Sequence, residues 1–118
     1  MTNIEELNKF GFNITEDMKQ GKVIVDVYTT WCGPCKFVAP ILHNLRDQSL
    51  IKLIQVDLDQ NRPLGEKFGI TAIPTLLFFK DGELVNHSIE VQGQTLVQKG
   101  MMIGAAGEPI LREIIEKM

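Results

Sequence analysis

The chain has 118 residues, 44% of them hydrophobic and 23% charged. That is the size and balance of one compact domain, not of a disordered segment or of an enzyme with a separate cofactor domain. Twelve lysines and arginines against fifteen aspartates and glutamates leave a formal charge of −3, and no basic run is present to follow a phosphate backbone, which excludes nucleic acid as a primary ligand. The longest apolar stretch, 70–79, contains Pro74 and is about half of the ~20 residues a spanning helix needs, so no membrane partner is expected.

In chain order, Thr2 and Glu5 can form a capping box, and Ile4, Leu7 and Phe10 recur at helical spacing until Gly11. This predicts a short first helix. A further helical turn is expected over 15–20. The β-branched run from Lys22 to Thr29 reads as a strand buried on both faces, interrupted by Asp26. From Pro34 to Asp47, the residues Cys35, Val38, Ala39, Leu42 and Leu45 share one helical face, with Pro40 inside the helix. A second apolar strand is expected over 50–58, and strand, helix, strand at this spacing predicts parallel pairing through a right-handed crossover, hence an α/β domain.

A short helix follows at 63–68, ended by Gly69, then a third strand at 75–80 and a hairpin turn at Asp81-Gly82. Pro109 opens a last helix whose Ile110, Leu111, Ile114, Ile115 and Met118 form one apolar stripe, suited to cover a sheet face. The domain is expected to span 1–118 without a linker or repeat.

The chemistry concentrates at Cys32-Gly33-Pro34-Cys35, the chain's two cysteines. Closing a bridge over so short a loop restrains almost none of the chain, so a structural staple is disfavoured. The first ten residues also lack the cationic start and apolar run of a secretory signal, which points to the cytoplasm and to a redox-active or metal-binding pair. Cys32 is placed where a helix begins, and unsatisfied N–H groups and the dipole there stabilise a thiolate, making it a candidate nucleophile. Cys35, one turn on, faces inward, where burial keeps it protonated until it resolves a mixed disulfide by bonding to Cys32. Zinc needs about four ligands and only His43 and His87 could complete the set, which disfavours a metal site. His43 otherwise reads as an ordinary surface or groove residue.

Trp31-Cys32-Gly33-Pro34-Cys35-Lys36, Pro40, and Ile73-Pro74-Thr75 before a later strand together resemble the thioredoxin family. The resemblance runs from Gly21 to Glu83 and resumes at Gly104. It implies a thioredoxin fold, a mixed four- or five-stranded sheet flanked by helices. It also implies a protein-disulfide reductase with no bound cofactor, its redox group being the Cys32–Cys35 disulfide, acting as a monomer on disulfide-containing proteins and recycled by a separate thioredoxin reductase. By position, Asp26 resembles the family's buried carboxylate, able to accept the Cys35 proton, and Pro74 its cis proline. Trp31, Gly33, Pro34, Ile73, Pro74 and Gly104 then form a shallow partner surface. Gln55 stands where the family often has a lysine near that carboxylate, and the opening residues suggest that the family's first strand is missing.

Residues 84–103 exceed the family's last strand by about a dozen and read as an insertion. Because the chain must return to the cysteine end at Gly104, an odd number of reversals is required, whereas Asp81-Gly82 and Gln92-Gly93 supply two. One of these is therefore a bulge or loop, or an additional strand exists. An elongated hairpin projecting away from the cysteines is the favoured path, and an extra edge strand with Gly93 beside the site the rival. Tyr28 and Phe79 read as core, Lys36 as solvent-exposed, and Met101 and Met102 as packing residues. The contrasting functional class is a module that holds partners through the same apolar surface, or the hairpin, without turnover.

Overall fold

The computed structural model describes residues 2–118. Its strands are β1 (Lys22–Tyr28), β2 (Lys52–Asp57), β3 (Thr75–Lys80), β4 (Glu83–Leu84), β5 (Ile89–Val91), β6 (Gln94–Val97) and β7 (Met101–Ile103), and its helices α1 (Gly33–Asp47), α2 (Arg62–Phe68) and α3 (Glu108–Lys117). β1 is central, parallel to β2 and antiparallel to β3. Its alternating side chains feed two cores, as a strand with both faces covered requires. Ile24 joins Leu76 and Phe78 of β3 against Val38, Leu42 and Leu45 of α1 and Leu111, Ile114 and Ile115 of α3. Val23, Val25 and Val27 join Leu77 and Phe79 against Ile4, Leu7 and Leu64. Asp26 is two residues from Ile24, so it belongs to the α1 face.

The short first helix expected before Gly11 is present, in the tighter 3-10 winding. Ile4–Phe10 is a 3-10 helix, the form in which residues three apart eclipse, and the repeat at 4, 7 and 10 has that period. Its cap is Asn3, whose Oδ1 accepts from the Glu5 N–H at 2.9 Å, and not Thr2. Where the family's first strand was expected to be missing, the chain instead meets the sheet edge through single contacts. Ile4 N–H donates to Gly82 O at 2.7 Å and Leu84 N–H to Thr2 O at 2.9 Å.

The five-stranded sheet is closed on one side by two short strands sharing the β3 edge: β4 pairs with Phe79 and Lys80, β7 with Thr75 to Leu77. Of the open alternatives, the additional strand is what exists. Its turn is Lys99-Gly100, with φ of 52° and 76°, matching the positive φ pairs at Asp81-Gly82 and Gln92-Gly93 and giving three reversals. Between β4 and β7 the hairpin β5–β6 forms its own two-stranded sheet. It does not project from the domain. Ile89, Val91 and Val97 are buried in the α1–α3 core, because an isolated two-stranded hairpin is marginal until it covers apolar surface. Met102 is likewise buried, in line with the packing reading of the methionine pair.

Gly100 is the tightest point of this insertion: its carbonyl accepts from Phe78 N–H at 2.8 Å, and a Cβ there would lie 2.9 Å from Val85 O and against the Leu84 side chain. Gly93 has equally positive φ but open space around it. Urea denaturation should show Gly93→Ala costing about 1 kcal/mol from backbone strain alone, and Gly100→Ala a further ~1–3 kcal/mol from the clash. Equal losses would contradict this packing.

Candidate active site

β1 runs antiparallel to β3 with Val27 opposite Thr75, so the chain leaving β1 and the chain entering β3 emerge at one end of the sheet. Leaving β1, the backbone turns at 29–31 and starts α1 with Cys32 as its N-cap, and Cys32 Sγ accepts the Cys35 N–H at 3.1 Å. This is the cap geometry that serines and aspartates normally provide, with sulfur as acceptor. Pro34 sits in the first turn, where its missing N–H costs nothing. Cys32 and Cys35 are bonded as a disulfide with Cα atoms 5.3 Å apart.

Entering β3, the Ile73–Pro74 peptide is cis. Gly104 N–H donates to Pro74 O at 2.8 Å, which brings Gly104, and not Gly93, beside the proline. Trp31 is 70% exposed, with its indole N–H donating to Asp59 Oδ2 at 2.9 Å. Gly33, Pro34 and Lys36 are exposed and Ile73 is half-buried. The cysteines themselves are not separated by exposure, at 5% and 3%. What separates them is surroundings: Cys32 lies at the helix end, while Cys35 borders a cavity leading to β1.

That cavity, of ≈ 290 Å³, is lined by Asp26, Tyr28, Thr29, Cys35, Ala39 and Gln55 among others. Tyr28 is thus half-buried in its wall and not a core residue, unlike Phe79. Asp26 is fully buried. Its Oδ2 accepts from Gln55 Nε2 at 3.4 Å, across the register pair that joins β1 to β2. Its Oδ1 and the Thr29 Oγ1 are the buried side-chain polar atoms left without a partner among the described residues. Burial pushes the Asp26 carboxyl above the usual aspartate range, against smaller opposing effects of the Gln55 hydrogen bond and the His43 charge. His43 Nε2 pairs with Gln55 Oε1 at 3.1 Å and His87 Nε2 with Lys117 O at 2.8 Å, so the two histidines lie in different networks.

The thioredoxin family model matches residues 3–102. The chain belongs to the thioredoxin family. It is 37% identical over 90 residues to the thioredoxin of Bacillus subtilis, covering 74% of this chain and 86% of that one. It is 40% identical over 76 residues to that of Listeria monocytogenes, covering 63% and 74%. Among solved structures it is similar to Fasciola hepatica thioredoxin, at a TM-score of 0.65 and 31% identity with 86% of this chain and 84% of that one covered. A mutant thioredoxin from Halobacterium salinarum is also similar, at 0.68 and 28% over 86% and 78%. Family and bonded pair together make the protein a thiol–disulfide oxidoreductase whose redox group is part of its own chain.

Sequence reasoning missed Asp59, Thr29 and the exposed Phe37, which is 58% accessible, and left His43 without a role. For His43 a signal existed: Cys35, Ala39 and His43 are four residues apart, one line along α1.

A carboxyl with a raised folded-state pKa favours folding in its protonated form; that contribution is complete below the unfolded value near ~3.9 and is lost as pH rises through the folded value. Asp26→Asn should therefore stabilise the protein at pH 8 by about 1–3 kcal/mol and give no gain near pH 4. Denaturant midpoints at the two pH values check this; a pH-independent difference would contradict it.

Proposed function

We propose that this thioredoxin-family protein reduces disulfides in other proteins, with Cys32 attacking and Cys35 resolving. The observation that carries this division of labour is the cap: the Cys35 N–H of the first turn donates to Cys32 Sγ at 3.1 Å, and with the helix dipole it favours negative charge on that sulfur. Cys32 thiolate attacks a client sulfur and expels the client's other sulfur as a thiolate. Cys35 then gives up its proton and attacks Cys32 Sγ, closing the intramolecular disulfide and releasing the client as a dithiol. Asp26 is the base for that proton. The cavity that borders both residues also presents the Thr29 hydroxyl and the Gln55 amide and is roomy enough for one solvent molecule to carry it.

Exposed Trp31, Gly33 and Pro34 and half-buried Ile73 and Gly104 form the contact surface around the buried Pro74, shallow enough for transient binding of many clients. Phe37 extends it. An extended client segment pairs with the backbone of half-buried Ile73, before the start of β3. The two-electron equivalents come from a thioredoxin reductase. Residues 1–118 act as one monomeric domain, and reduction of client disulfides suits a reducing compartment such as the cytoplasm. Among the described residues no helix is long and apolar enough to cross a membrane.

With dithiothreitol as reductant, the wild-type protein should accelerate insulin-disulfide reduction and Cys32→Ser should fall to the uncatalysed background. Cys35→Ser should accumulate a covalent client adduct through Cys32, visible as a mass increase that excess thiol reverses. Adducts forming instead on Cys35 in the Cys32→Ser variant would reverse the assigned roles, and undiminished function of the double variant would favour a non-catalytic binding module.

A further inference from the structure

We propose that His43 and Gln55 are positioning residues for Asp26: a surface imidazole, acting through one amide, sets how readily the buried carboxylate takes the Cys35 proton. This rests on Asp26 being the base.

The α1 line Cys35, Ala39, His43 advances about 6 Å, a little over one turn, per step, and it runs beside the register pair Asp26–Gln55. Small Ala39 leaves open the cavity that Cys35 and Gln55 both line. One turn further on, His43 meets the other end of the same amide. Three elements thus contribute one chain of contacts: His43 Nε2 to Gln55 Oε1 at 3.1 Å, and Gln55 Nε2 to Asp26 Oδ2 at 3.4 Å.

An amide has donors at one end and an acceptor at the other, so its orientation ties the two partners together. With its NH₂ toward the carboxylate, its carbonyl needs a donor from His43. Imidazolium, with N–H on both nitrogens, always supplies one and cannot accept from a reversed amide. A cationic His43 therefore locks Gln55 with its donor facing Asp26, which favours the ionised, proton-accepting carboxylate. A neutral ring has tautomers that suit either orientation, and the lock is released.

Lys36 and Tyr28 share the cavity wall with Asp26 and Gln55. The other ionisable groups on the surrounding elements are engaged elsewhere. Asp47, one turn past His43, pairs with Arg46, and Asp57, two residues past Gln55, accepts the Asp59 N–H. On α3, Glu108 binds Asn44 and Arg112, and Lys80 at the far end of β3 donates to Met118 O.

The test follows the resolving step alone. An aromatic thiol is attached to Cys32 as a mixed disulfide, and its release by Cys35 is timed between pH 5 and 9. Relative to wild type, the midpoint of the Asp26-dependent limb should rise by about half a pH unit in His43→Gln and in Gln55→Ala. His43→Lys, which keeps the donor and the charge, should restore a midpoint at or below that of wild type. The His43→Gln, Gln55→Ala double variant should shift no more than either single change, since both break one chain. If Asp26→Asn removes the limb but the two single variants leave it in place, or if Lys behaves like Gln at position 43, the relay is overturned while the base stands. A limb that survives in Asp26→Asn overturns both.

Discussion

The junction between β1 and α1 governs the rest of the molecule. A strand covered on both faces cannot turn gradually without exposing apolar side chains, so the chain leaves it abruptly and starts a helix within four residues. The first-turn N–H groups of that helix need an acceptor. Here the acceptor is the sulfur of Cys32, and that substitution of sulfur for the usual oxygen turns a capping problem into a reactive centre. The second cysteine, three residues on, is one turn in and on the side facing the sheet. The two sulfurs are equally sheltered in the disulfide, so their difference in chemistry comes from direction and not from exposure.

The same strand contributes the second half of the site. Burying Asp26 opposite Leu76 and beside Gln55 leaves one carboxylate oxygen without a partner, a cost that an apolar residue would avoid. The protein places that cost at a cavity which Asp26 and Cys35 line together. Stability and the proposed proton transfer are therefore opposed at one residue: what makes Asp26 a weak contributor to folding at neutral pH is what suits it to the proposed role of base.

Much of this was legible beforehand. β1, α1, β3 and α3 follow from β-branched runs, a helical stripe and prolines at helix starts, and the Trp-Cys-Gly-Pro-Cys and Ile-Pro-Thr segments carry the family. The first helix was legible at 4–10 but its 3-10 winding was not, because a repeat of three satisfies both helical periods over so few residues. The insertion was harder. Chain direction required an odd number of reversals, yet Lys99-Gly100 resembles a surface dipeptide until its φ values are known. Nor does sequence reveal that Ile89, Val91 and Val97 fold back onto the α1–α3 core, since a short alternating hairpin is equally consistent with projection. The contact of His43 with Gln55 depends on how a helix lies across a neighbouring strand, which no local pattern encodes.

The account's central claim is that helix geometry, not exposure, makes Cys32 the reactive sulfur. The most direct measurement is brief alkylation of the fully reduced protein with limiting iodoacetamide at neutral pH, followed by peptide mass mapping. The account requires a single adduct on Cys32 with Cys35 spared. Equal labelling of the two cysteines, or preferential labelling of Cys35, would contradict it.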